Sequence, residues 1–417
     1  MRVAVIGAGI VGVTTAYELA AEGHEVTVFE RRSSVAAEAS FANAGVVAPG
    51  YVTPWAAPGM AWKVLKQLPR RHAAVRIGAA AALAELPWLW RWWRACRPAV
   101  HAANRIAMHR LARASRERML ELTDTLGLDY EQARGCLVLL RGERELALAR
   151  PGLKLLAELG VSFELVDAER ARRVEPGLNA GTALRAAIHL PADGVGNCRQ
   201  FAQLLRGRAE QLGAAFRFEA PVEHITPGAA PKLTTRTGEQ GFDAVVVAAG
   251  IDATHLLAPL GLKLPLAAVW GYSITAPLRH VDGLPEIGPC AALMDERYKV
   301  AISRLGSRVR VAGGAEIGGA AEGVNAAALA TLYRVLDDWF PGAALSARAQ
   351  QWKGARPMLP DGPPVLGASG APGVWLNLGH GSNGWALSCG SARVLTELIG
   401  GRRPSIALDG FGIERLR

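Results

Sequence analysis

The chain has 417 residues, half of them apolar, which is enough for two domains or one large composite with a sizeable core. A formal charge of +10 comes from basic residues spread singly, with no Lys/Arg block or aromatic-basic platform, so a nucleic-acid footprint is not expected. Five cysteines without CxxC pairs or metal-ligand spacing argue against a disulfide framework and a metal site; they read as small buried hydrophobes of a reducing compartment.

The first elements are a strand at Arg2 to Ile6, a tight turn, a helix at Ile10 to Glu22 and a strand at Glu25 to Phe29, because apolar runs bracket a segment of helical periodicity. A strand starting at Arg2 leaves no room ahead of it for a signal peptide, so a cytoplasmic location is expected. Gly7, Gly9 and Gly12 spell G-x-G-x-x-G in the turn, and Glu30 closes the second strand. Gly7 permits the turn, Gly9 lets backbone approach a pyrophosphate and Gly12 lets helix pack on strand, while the helix N-terminus with Ile10 and Val11 offers N–H groups to phosphate. Glu30 is placed to accept hydrogen bonds from a ribose. A dinucleotide is expected here, and both NAD and FAD suit the fingerprint.

Three features favour FAD. The segment "ERRSSVAAEASFANAGVV" brings Arg31, Ser40, Asn43, Ala44 and Gly45 along a longer cofactor. Much later, "FDAVVVAAG" is a second buried strand ending at Ala249 and Gly250, where small residues allow close approach to the same cofactor, with Val222 expected nearby. No second G-x-G-x-x-G is expected in the chain for a nicotinamide nucleotide, so electrons should leave by another route.

The proline-rich passage "NAGVVAPGYVTPWAAPGM" should cross the surface as an ordered loop. Residues 61 to 127 read as helices, with Ile106, Leu111, Met119 and Leu122 near one stripe and Gly127 as a stop. Within them the run from Ile77 to Trp93 is broken by Glu85, Pro87 and Arg91 and is shorter than the roughly 20 apolar residues a membrane span requires. Trp88, Trp90, Trp92 and Trp93 beside Arg91, Arg94 and Arg97 suit the headgroup interface on the inner face of a cell membrane; a helix packed on its own protein could carry them too.

A strand "CLVLLR" and a helix bent or divided at Pro151 follow, then a helix at 198 to 213 and several short strands. From 264 to 312 the runs "LPLAAVWGYSITA", "YKVAISR" and "RVRVAGG" alternate, as in an antiparallel sheet with one solvated face. A helix, two strands and a final helix from Gly384 to Ile399 close the chain.

Arg356 precedes the rigid turn "PDGPP" and carries a planar fork suited to a carboxylate. Gly379, Gly381 and Gly384, with Ser382 and Asn383, precede the last helix, whose N-terminus suits the electron-rich pyrimidine end of a flavin. His380 stands among them, either to polarise that ring as an acid/base or to complete the turn. No G-x-S-x-G elbow appears, which argues against a serine hydrolase.

In order, the N-terminal fingerprint, "SFANAGVVAPGYVTPWAAPG", "GYSIT", "YKVAISR", "RVRVAGGAEIGG", "RPMLPDGPPVLG" and "LNLGHGSNGWALSCGSARVL" resemble the small subunits of bacterial D-amino acid dehydrogenases. These sit in the wider D-amino acid oxidase and glycine oxidase group. The resemblance covers nearly the whole chain and implies an α/β (α+β composite) fold. A glutathione-reductase-type Rossmann FAD domain (1–60, 150–263 and 341–417) would join a mostly antiparallel β substrate domain with helices (61–149 and 264–340). It implies FAD-dependent oxidative deamination of D-amino acids to 2-oxo acids and ammonia by hydride transfer from Cα to flavin N5, electrons passing to a quinone or other non-oxygen acceptor. By the same resemblance Arg356 binds the substrate carboxylate, and Tyr272 and Tyr298 line the substrate pocket. Two departures, Trp270 where the family commonly has lysine and Ser382-Asn383 where it has Thr-Leu, leave substrate range open. The alternatives are an FAD enzyme of secondary or cyclic amino acids such as hydroxyproline, proline or sarcosine, and a non-catalytic basic module on a flavin scaffold.

Overall fold

Buried apolar runs pair into a parallel sheet at the centre of one half of the fold. The computed structural model describes residues 1–67, 72–78, 85–280 and 287–416. A six-stranded sheet runs in the order Val365–Ala368, Val374–Leu378, Ala244–Val247, Arg2–Ile6, Glu25–Phe29 and Ala215–Arg217. Only its first pair is antiparallel. Arg2–Ile6 and Ala244–Val247 are covered on both faces, which is why they read as unbroken apolar runs and not as alternating ones. Helices Ile10–Ala21, Cys198–Gln211 and Gly384–Ile399 pack together beside one face, with helix Pro98–Leu126 against the last of them. A small antiparallel sheet, Val222–Thr226, Lys232–Thr235 and Gly238–Gly241, shares a second core with the strands through Ile225 and Leu233.

The alternating runs build the other half. A ten-stranded sheet runs Gln350–Met358, Ala267–Pro277, Arg308–Ile317, Val300–Leu305, Ala292–Asp295, Ala133–Leu140, Ala186–Val195 and Val46–Val47, with Val75–Ile77 and Glu164–Val166 pairing off this path. Most pairs are antiparallel; Ala292–Asp295 with Ala133–Leu140 and Arg308–Ile317 with Val75–Ile77 are parallel. Helix Ala326–Trp339 shares a core with Tyr272, Ile274 and Val311. Sheet membership cuts the chain differently from the expected boundaries. Residues 164–166 and 186–195, expected in the FAD unit, hydrogen-bond in this second sheet, as does Gln350–Met358.

Several local expectations shift. Helix Glu143–Glu158 runs through Pro151 undivided, forgoing one backbone bond there. Gly127 ends helix Pro98–Leu126 at φ 60°, as expected, but Ile106 is exposed: five residues before Leu111, it sits about 140° round the helix from it. Cys136, Cys198 and Cys389 are buried as expected, whereas Cys290 is exposed.

The tryptophan-rich run resolves into helix Leu86–Ala95, its residues 79–84 lying outside the described residues. Trp88 and Trp92, one turn apart, are buried against the Trp55 ring at 6.1 and 5.3 Å, whereas Trp90 and Trp93 are 54% and 59% exposed. Among the described residues no helix is long and apolar enough to cross a membrane.

Candidate active site

The opening strand, turn and helix supply the first corner. Gly7 sits at φ 101°, and a Cβ there would lie 2.6 Å from the Ala248 carbonyl oxygen, so the turn requires glycine for both reasons. A Cβ at Gly12 would fall on the Gly7 carbonyl, which is how closely helix approaches strand. At Gly9 the nearest neighbour of such an atom is Ser40 Oγ, 3.6 Å away, leaving room over the helix N-terminus. The Ile10 N–H donates to Ser40 Oγ at 3.0 Å. Glu30 accepts from the N–H groups of Ala8 and Arg32 at 2.7 and 2.8 Å. Arg31 bridges Glu38, at 2.6 Å, and Asp252, which ties the loop after the second strand to the turn after Ala244–Val247.

This corner opens into a cavity of about 2400 Å³ that gathers all the expected site residues except Gly12, which lies behind Gly7. Val222, Ala249 and Gly250 line it beside the fingerprint. The segment from Ala42 to Gly45 forms a wall held from outside. Its carbonyls accept from Ser273 (2.8 Å), Arg310 (3.2 Å), Ser303 (2.7 Å) and Trp385 Nε1 (3.1 Å), and Asn43 Oδ1 accepts from the Gly45 N–H at 3.0 Å. Gly379 and Gly381, at φ 79° and 56°, lead through Ser382 and Asn383 into helix Gly384–Ile399, whose N-cap makes no side-chain hydrogen bond. Two helix N-termini therefore meet one cavity, each with first-turn N–H groups that the helix cannot satisfy.

Arg356 enters from strand Gln350–Met358, in register with Val269. Its Nη1 donates to the Gly314 carbonyl at 2.8 Å, and its guanidinium lies against Gly271, where a Cβ would sit 2.5 Å from Nη1. Burial alone pushes its pKa down to about 10, so it remains a cation at neutral pH, and no acidic side chain among the described residues pairs with it. A buried, charged fork of this kind calls for an anionic partner.

Tyr272 sits one residue past Gly271 and donates its hydroxyl hydrogen to Glu316, which also accepts from Asn325 Nδ2 at 3.4 Å. Burial and that carboxylate raise the Tyr272 pKa, so its proton is committed to Glu316 and it faces the cavity as a neutral ring. Tyr298 also lines the cavity, with the guanidinium carbons of Arg141 and Arg334 at 5.2 and 5.7 Å from its ring centroid. The His380 imidazole turns to Ser391 Oγ at 3.0 Å, and burial lowers its pKa to about 3. It is neutral near pH 7 and occupied by the last helix, which favours the turn-completing role over proton exchange.

Residues 2–398 match the FAD dependent oxidoreductase family. The chain belongs to that family. It is similar to a D-amino acid dehydrogenase of Cereibacter sphaeroides, at 44% identity over the whole chain and 95% of the relative, and to one of Bradyrhizobium diazoefficiens, at 40% over the whole chain and 99% of the relative. Among solved structures it shares the fold of glycine oxidase from Geobacillus kaustophilus, with TM-score 0.75, 21% identity and coverage of 99% and 98% of the two chains. L-Proline dehydrogenase from P. horikoshii has TM-score 0.73, 19% identity and coverage of 99% and 97%.

The cofactor of this FAD-dependent oxidoreductase fits what the cavity offers: a glycine cradle open at Gly9 and a second helix N-terminus on the same space. One expectation needs correcting. Gly379, Gly381 and Gly384 repeat the G-x-G-x-x-G spacing between a strand and a helix, so the motif occurs twice. Among the described residues the helix after it leads to no further strand, and glycines of both copies line one cavity. Residues that the sequence did not single out complete the site: Gly271 and Gly314 around the guanidinium, Glu316 on Tyr272, and Ser273, Ser303 and Arg310 behind the wall at Ala42 to Gly45. The run "GGAEIG" from 313 to 318 held that signal, since paired glycines beside an acid inside a strand suggest close approach to a ligand. At the departing position, Trp270 lies beneath the Lys353 ammonium, 4.5 Å from its ring, so the neighbouring strand returns a lysine to this place.

Proposed function

We propose that the protein oxidises D-amino acids to 2-oxo acids and ammonia and delivers the electrons to a quinone or another non-oxygen acceptor. The observation that carries this reading is Arg356, a buried cation with no acidic side chain beside it among the described residues, inside the cavity that the glycine cradle opens into. The D configuration is supported by relatives at 40–45% identity that are themselves named D-amino acid dehydrogenase.

In this reading Gly7, Gly9, Ile10 and Val11 hold the pyrophosphate, Glu30 the ribose, and Gly379 to Gly384 the pyrimidine end of the flavin. When bound, FAD would supply the two-electron acceptor for the hydride leaving Cα. Arg356 clamps the carboxylate, and Gly271 provides the space for that clamp. The rings of Tyr272 and Tyr298 wall the pocket and fix which face of Cα is presented. The substrate amine sheds its proton without an obligatory side-chain base, consistent with a neutral His380 turned to Ser391. Water then hydrolyses the released imino acid.

Holoenzyme mixed anaerobically with D-amino acids should lose its oxidised flavin absorbance; bleaching by L-enantiomers alone would remove the stereochemical assignment. The exposed Trp90 and Trp93, with Arg94 stacked 4.7 Å from the Trp90 ring centroid, support peripheral contact with an anionic membrane. Vesicle co-sedimentation unchanged in the Trp90→Ser/Trp93→Ser variant would refute that contact.

A further inference from the structure

The wall from Ala42 to Gly45 has a direction. Its carbonyls at Ala42, Asn43 and Ala44 turn to Ser273, Arg310 and Ser303, which are buried and stand outside the cavity lining. A trans peptide sends its N–H opposite to its C=O, and no cis peptide occurs among the described residues. The Asn43 N–H shares a peptide unit with the Ala42 carbonyl, and the Ala44 N–H shares one with the Asn43 carbonyl. Both N–H groups therefore point away from Ser273 and Arg310, and neither meets an acceptor among the described residues. Asn43 and Ala44 line the cavity. The wall thus presents two fixed donors that call for a partner, aimed by hydrogen bonds made on its far side.

One of the groups on that far side carries a charge. Arg310, on strand Arg308–Ile317, is only 6% exposed. Its Nε donates to Thr275 Oγ1 at 2.9 Å and its Nη1 to the Asn43 carbonyl at 3.2 Å, both neutral acceptors. No carboxylate pairs with it among the described residues. Glu131, whose charge acts on it, is itself held by Arg308 at 2.7 Å and by Asn197 Nδ2 at 2.6 Å. Burial, and then Arg308, lower the Arg310 pKa to about 10, so it is a cation at neutral pH. Buried charges are ordinarily paired. This one is spent on a backbone carbonyl, and its field reaches the cavity through one peptide layer with little water to screen it.

We infer that Arg310 is a positioning residue for electron uptake: acting through the Asn43 peptide, it favours the reduced form of the flavin without touching it. The inference rests on the reading that Asn43 to Gly45 border the flavin. The step it assists separates charge. The Cα–H bond breaks and its electron pair leaves with the hydrogen as hydride. The lone pair of the neutral amine forms C=N, so nitrogen becomes cationic while the hydride acceptor gains one negative charge. A cation and two aimed N–H dipoles fixed beforehand on one side favour that negative charge and need no reorganisation as it appears.

The test measures the flavin midpoint potential of holoenzymes by anaerobic reduction against a reference dye. Arg310→Gln keeps a donor and loses the charge; the ratio of reduced to oxidised flavin should fall at least about tenfold, which is about 30 mV for a two-electron couple. Arg310→Lys keeps the charge and should hold the wild-type ratio within about threefold. A wild-type potential in Arg310→Gln, or an equal fall in both variants, would overturn the inference and leave the flavin at its wall. If Arg310→Gln does not retain flavin, Glu131→Gln decides. Removing the carboxylate whose charge acts on Arg310 should move the potential upward, and an unchanged or lower value would overturn the inference. In wild-type holoenzyme the Asn43 and Ala44 amides should exchange slowly with deuterated water because the flavin covers them. Exchange as fast as in exposed loops would sink both the placement of the flavin and the inference.

Discussion

The contact between Gly271 and Arg356 turns the account into a number. Adding one methyl group at Gly271 places a carbon 2.5 Å from Nη1 and closer still to the guanidinium carbon, where such atoms prefer about 3.5–4.0 Å. The fork must retreat by about 1 Å or more. Because the displaced atoms end a flexible side chain, folding and FAD content should survive Gly271→Ala. A misplacement of about 1 Å in a positioning group costs roughly 100-fold, equivalent to about 3 kcal/mol of transition-state stabilisation. Steady-state kinetics with a D-amino acid and an artificial acceptor should show kcat/KM down by about that factor, mostly through KM. In an Arg356→Ala background, where the clashing group is gone, the same substitution should have almost no further effect. A kcat/KM within twofold of wild type, with FAD retained, would refute Arg356 as the carboxylate clamp.

Two further outcomes follow from the same packing. Gly12→Ala drives a Cβ onto the Gly7 carbonyl, a backbone group that cannot swing aside; the variant should lose FAD and about 1–3 kcal/mol of stability, and a holoprotein with unchanged melting and flavin content would contradict the helix–strand contact. Asp193 is buried and receives the Gly50 N–H at 3.1 Å, and burial raises its pKa from 3.8 to about 6. The fold therefore favours its protonated form: that contribution is complete below pH 3.8 and lost as pH rises through about 6, a swing of roughly 3 kcal/mol. Asp193→Asn keeps an acceptor for Gly50 and should be stabilised at pH 7 but not at pH 4; denaturation midpoints offset equally at both would refute this.

The sequence made the cofactor side legible because its signals are local. Gly7, Gly9, Gly12 and Glu30 lie within one strand–helix–strand unit, and Gly384–Ile399 is an uninterrupted apolar helix after a glycine turn. The substrate side is assembled across strands. Gly271, Gly314, Glu316 and Arg356 converge only through the pairing of Ala267–Pro277 with both Arg308–Ile317 and Gln350–Met358, and no spacing along the chain encodes that register. Strand Ala186–Val195 escaped notice; it contains Pro191 and Asp193-Gly194, residue types that favour turns over strands. Its partner absorbs the irregularity with a register shift beside Gly135, held at φ 100°. His380 looked available for acid/base work because sequence shows residue type and not depth; Ser391, about two turns into the following helix, takes its nitrogen.

In the proposed reading one cleft takes both the flavin and, at Arg356, a substrate carboxylate. Titration of the holoenzyme with propionate, which has a carboxylate and no amine to oxidise, tests it directly through the flavin absorption spectrum. A saturable spectral shift, competition with D-amino acid oxidation, and loss of both in Arg356→Ala are expected. A shift of equal affinity in Arg356→Ala, or propionate binding that neither perturbs the flavin nor competes with substrate, would contradict it.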